Sequence, residues 1–147
     1  VRAQDARPIA EALSSDFYVD EDMILDAVAR EGMFNVIHQA TAMKVDVYVL
    51  KPAAWDQQAF SRRRADTLDE SDGARQYSFA TPEDILLHKL VWFRLGGEVS
   101  ERQWGDILGV LRVQKAALDA TYLDDWSRVL AVADLLARAR KEAAAID

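Results

Sequence analysis

Residues 33–51 read MFNVIHQA, TAM and KVDVYVLK, two runs rich in β-branched and other apolar residues with only three residues between them. Such runs favour extended backbone. A three-residue link is far too short for the crossover that parallel neighbours require, so the pair is expected to form an antiparallel hairpin. Side chains alternate along a strand. One face of the second strand carries Lys44, Asp46, Tyr48 and Leu50, and the other carries Val45, Val47 and Val49, an aliphatic stripe suited to packing on helices. Asp46 is the anomaly. An unpaired buried charge is costly, so this carboxylate must be paired, solvated in a cleft or bound to a metal. On the residues alone it reads either as a solvated or lysine-paired aspartate on an open sheet face, or as a metal ligand or general base. Its hairpin partner presents either Asn35, Ile37 and Gln39 or Phe34, Val36 and His38 to the same side.

The remaining segments set the fold class. AQDARPIAEALSS reads as a short helix, DFYVD as a strand, and EDMILDAVAREG as a helix ended by Gly32. PAAWDQQAFSRRRA reads as a further short helix. RADTLDE and RQYSFA flank the turn signal SDG and read as a second hairpin or as edge strands. After Ala80 the pattern becomes helical. Thr81 is the expected N-cap, with Pro82 at the first helical position and Asp84 closing a capping box; Gly96 and Gly97 end that helix. Ser100 and Gln103 repeat the device, and one or two more helices follow. The expected architecture is α+β: one domain in which residues 1–80 form a small mixed sheet with helices and residues 81–147 form a helical bundle.

Composition removes several kinds of chemistry. The 147 residues contain no cysteine and two histidines, which excludes disulfides, thiolate nucleophiles and cysteine-bound zinc, and disfavours a multi-histidine metal site. A net charge of −7 disfavours tight non-specific binding of nucleic acid while leaving room for a local basic patch. No apolar run approaches the roughly 18 residues of a membrane span, and no signal-peptide pattern is present. The expected location is therefore cytoplasmic, with no membrane partner.

The order KVDVYVL, a connecting segment, and then TPEDILLHKLVWFRLGGEVSERQWGDILGVL resembles the bacterial nucleotidyltransferase-fold proteins, the AbiEii-like and uncharacterised nucleotidyltransferase groups. The similarity runs from Phe34 to Leu136. It rests on Asp46 in mid-strand, on Pro82, Glu83, Asp84 and Ile85 with Lys89 and Leu90, and on Ser100, Arg102, Asp106 and Ile107. The resemblance implies a sheet of nucleotidyltransferase type on which Asp46 is the third of three carboxylates. It also implies magnesium-dependent transfer of a nucleoside monophosphate from a triphosphate to an acceptor, RNA or protein. Two magnesium ions would clamp the attacking and leaving oxygens, with Asp46 as metal ligand and proton acceptor. The Gly-Ser turn and Asp-x-Asp pair of the family are missing. The chain is therefore expected to be truncated at its N-terminus and inactive by itself. Asp20 and Asp22 have Asp-x-Asp spacing but precede a helix, so they read as a cap.

Lys89 lies near the apolar face of its helix. It reads as a catalytic phosphate contact or as a lysine snorkelling at the core edge. Arg102 and Asp106, four apart, read as an intrahelical ion pair or, as the resemblance implies, as cofactor-binding residues that orient the cleft or contact the substrate. The run SRRRA reads as solvated surface, His88 as structural, and Trp55, Trp92, Trp104 and Trp126 as core. Two other functions compete with the enzyme. One is a non-catalytic binding or regulatory module of toxin–antitoxin type. The other is a homodimer joined through its helical half.

Overall fold

A computed structural model of the chain describes residues 1–68 and 75–145. It is α+β, with seven α-helices and two small antiparallel sheets among the described residues. The chain divides into two compact units, Val1–Gln57 and Gln58–Asp147.

The first unit begins with a 3-10 turn over Ala3–Asp5 that runs into α1 (Ala6–Leu13). Strand β1 (Phe17–Tyr18) and α2 (Glu21–Ala29) follow, then β2 (Met33–His38) and β3 (Lys44–Tyr48). Asp20 caps α2 by accepting the Met23 N–H at 2.7 Å, as its place before the helix predicts. The left-handed residue closing α2 is Glu31 (φ 50°), not Gly32; the Gly32 N–H then bonds back to the Ala27 carbonyl. The hairpin forms as expected, with Asn35 opposite Asp46 and Phe34 opposite Val47. Ala6, Ile24, Ala27, Phe34, Val36 and Val49 make the core of this unit. Val45 departs from the aliphatic stripe and is 49% exposed.

Helix α3 (Ala54–Ser61) contains the division between the units. In the second unit β4 (Arg64–Thr67) pairs with β5 (Gln76–Phe79), so the two segments form a ribbon; the SDG turn lies outside the described residues. Every residue of both strands is exposed. The expected mixed sheet is thereby corrected to two antiparallel ones. The connections β2–β3 and β4–β5 are shorter than the dozen or so residues a parallel crossover needs. Strand β1 pairs antiparallel as well, with Phe17 opposite His38.

Helices α4 (Pro82–Leu95), α5 (Glu101–Gln114), α6 (Ala120–Val129) and α7 (Ala133–Ala145) complete this unit. Helix α5 packs on α4 and α7, and α6 packs on the same two. Leu86, Leu87, Leu90, Phe93, Ile107, Leu123, Leu135 and Leu136 are buried. None of the described helices is long and apolar enough to cross a membrane. Just past α6, Ala131 is left-handed (φ 56°), and the Val132 N–H closes back on the Ser127 carbonyl. A side chain is strained in that conformation and glycine is not. Ala131→Gly is expected to raise stability by about 1 kcal/mol, read as a higher urea midpoint.

Candidate functional site

Asp46 sits on the open face of the hairpin. Its Oδ1 accepts from Asn35 Nδ2 at 2.5 Å and lies 3.3 Å from Lys44 Nζ. Lys44, Asp46 and Tyr48 are all exposed, so this is the polar face that alternation assigned. Register settles the partner set as Met33, Asn35 and Ile37. Asp46 is thus a lysine-paired carboxylate. One carboxylate beside an ammonium group does not make a magnesium site, since the lysine opposes a dication and magnesium asks for near-octahedral oxygen ligands. Among the described residues, no three Asp, Glu or His side chains cluster as ligands for a metal.

Lys89, Arg102 and Asp106 do come together, all in the second unit. They line a surface depression of about 380 Å³ between α4 and α5, with Trp92, Ser100 and Gln103. Helical spacing explains the convergence. Leu86, Leu87, Leu90 and Phe93 turn the buried face of α4 inward, which leaves Ile85, Lys89 and Trp92 along its margin. Ser100 accepts the Gln103 N–H at 3.3 Å, so α5 begins at the rim of the depression. The expected Arg102–Asp106 pair does not form. Asp106 accepts instead from Lys89 Nζ at 2.8 Å, across the two helices. That hydrogen bond, with the lysine charge behind it, holds the Asp106 carboxyl below its ordinary range. Arg102 is exposed and has no carboxylate within 4 Å among the described residues. The depression thus holds two cations and one carboxylate. Trp92, expected in the core, is 44% exposed and lines the depression, with the His88 ring 5.6 Å away. Pattern alone missed it because position 92 falls between the buried and open faces of α4.

Glu83 and Asp84 take a different part. Asp84 is fully buried; it accepts from the Thr81 hydroxyl at 2.6 Å, the Tyr122 hydroxyl at 2.6 Å and Arg62 Nε at 3.3 Å. Glu83 accepts from Arg62 Nη2 at 3.3 Å and from the Asp119 N–H at 3.0 Å. The Arg62 guanidinium lies 3.8 Å from the centre of the Tyr122 ring. Arg62 is therefore part of a buried polar clasp, which corrects its assignment to solvated surface. Its neighbour Arg63 lies over the Phe60 ring. Burial opposes charge on Glu83, but the backbone N–H bonds, the Thr81 hydroxyl and Arg62 outweigh it and hold the carboxyl below its ordinary range. Burial, the bond to Asp84 and the Asp84 charge all push the Tyr122 phenol upward, so it stays protonated and donates.

Compared with protein-family models, with curated proteins and with solved structures, the chain matches none.

Two outcomes follow for the clasp. Tyr122→Phe removes a donor from a buried carboxylate and is expected to cost about 1–3 kcal/mol in urea unfolding. Glu83 has a depressed folded value, so the stability it contributes is present above its unfolded value of about 4.3 and is lost as pH falls through the lower folded value. Melting midpoints measured from pH 6 to pH 2 should therefore fall below about pH 4.3, with a shallower fall in Glu83→Gln.

Proposed function

We propose that this chain is a nucleotidyltransferase-like protein whose α4–α5 depression binds the phosphate groups of a nucleoside triphosphate. The observation that carries the reading is the convergence of Lys89 and Arg102, from two helices, beside an exposed tryptophan. A guanidinium can grip a phosphate through two parallel N–H bonds, and an ammonium adds a compact charge. Asp106 holds Lys89 in place until a phosphate competes for it. Trp92 offers a flat apolar surface to a base. The resemblance described above gives Asp46 the role of the third carboxylate, the group that takes the acceptor's proton. The acceptor class on this reading is RNA or protein. Magnesium would need further carboxylates, because the donor set around Asp46 does not fit it.

A nucleotide-binding module without transfer is the second reading. It is favoured by the Asp46 carboxylate, which Asn35 and Lys44 already engage.

Calorimetric titration with the four nucleoside triphosphates tests the first claim. Saturable binding is expected, weakened at least tenfold in Arg102→Ala and in Lys89→Met and unchanged in Arg128→Ala. Absence of saturation at millimolar nucleotide in the wild-type chain would overturn it. Incubation with α-labelled triphosphate and magnesium then tests the second reading. The 147-residue chain alone is expected to bind without transferring label. Labelling that Asp46→Asn abolishes would instead establish a competent transferase.

A further inference from the structure

A second cavity, of about 280 Å³, lies among α5, α6 and α7. Its walls are apolar, with Leu111, Leu123 and Ala143 buried and Leu118 half-buried. Two guanidinium groups also line it, Arg112 from α5 and Arg140 from α7. They differ in their charge balance. Arg140 Nη1 is 2.5 Å from Asp124 Oδ1, so its charge is met. Arg112 is half-buried and has no carboxylate within 4 Å among the described residues. A partly desolvated guanidinium against an apolar wall gains from an anionic partner, and the described residues supply none there.

The geometry points to a binding site for a small monoanion with an apolar body, a medium-chain or aryl monocarboxylate, held by Arg112. The carboxylate pairs with the Arg112 fork, and the hydrocarbon replaces water against Leu111, Leu118 and Leu123. Among the described residues one net positive charge remains at the cavity after Asp124 is counted, which selects a monoanion. The volume lies just below the roughly 300 Å³ at which small-molecule sites begin, and so favours a small body, of octanoate or naphthoate size. The site is separate from the α4–α5 depression and does not depend on any nucleotide reading.

Calorimetry with octanoate and with octan-1-ol separates the charge from the hydrocarbon. The wild-type chain is expected to bind octanoate at least tenfold more tightly than the alcohol. Arg112→Gln should erase that preference while the circular dichroism spectrum and weak alcohol binding persist. Arg112→Lys, which keeps a charge without the fork, should retain part of it. Equal affinity for acid and alcohol, a preference that survives Arg112→Gln, or no saturable octanoate binding at millimolar concentration would each overturn the site. Arg102→Ala should leave octanoate binding unchanged, and a loss there would assign the acid to the other depression.

Discussion

Two adjacent carboxylates, Glu83 and Asp84, are buried at the start of α4, and the second unit is organised around satisfying them. Removing one such charge from water costs several kcal/mol, and it is tolerated only where donors surround it. The donors come from separate parts of the unit: Arg62 just after α3, Thr81 at the cap, Tyr122 in α6 and the backbone N–H of Asp119. The Asp119 N–H at the start of α6 is met by Glu83, and at the start of α4 the Thr81 hydroxyl oxygen also accepts the Asp84 N–H, both at the positive helix end that welcomes negative charge. A buried ion pair of this kind adds little net stability over an apolar replacement, while loss of one partner is costly. It ties the inward-facing setting of α4 to α6 and to Arg62.

That setting decides which side chains reach the depression. With Asp84 and Leu87 turned inward, Lys89 and Trp92 fall on the margin facing α5, and Asp106 meets the lysine. The far side of the same helices is held by Arg94, which reaches Asp134 at 2.6 Å, and by Trp104, whose indole N–H donates to Glu142 at 2.6 Å. The exposed Arg94–Asp134 pair is weak by itself, whereas the Trp104–Glu142 bond is half-buried. Their effect is to keep α7 in register with α4 and α5.

The legible parts of the fold were those governed by local rules. The three-residue TAM link required a hairpin, and Asp20, Thr81 and Ser100 cap helices where their side chains predict. The convergence of Lys89, Arg102 and Asp106 was legible only as far as their types and spacing. Their pairing was not, because the nearest neighbour of Asp106 comes from another helix. The clasp was hidden for the same reason: Arg62 reads as one of three surface arginines until Tyr122 and Asp84 are brought to it. Trp92 was misplaced because aromatic residues default to the core, and nothing in helical periodicity distinguishes a margin position from an inward one. Glu31 and Ala131 carry left-handed turns that sequence would sooner assign to glycine.

The β4–β5 ribbon is exposed on both faces, so its cross-strand hydrogen bonds have no covering layer of side chains. Two strands alone are marginal in water. Tyr77 and Phe79, 40% and 38% exposed, are the large apolar side chains of the two strands that opening the ribbon would uncover. Its amides belong to the fast end of native-state hydrogen exchange even though they are formally paired. A ladder of this kind records where the chain runs while contributing little to what keeps it folded.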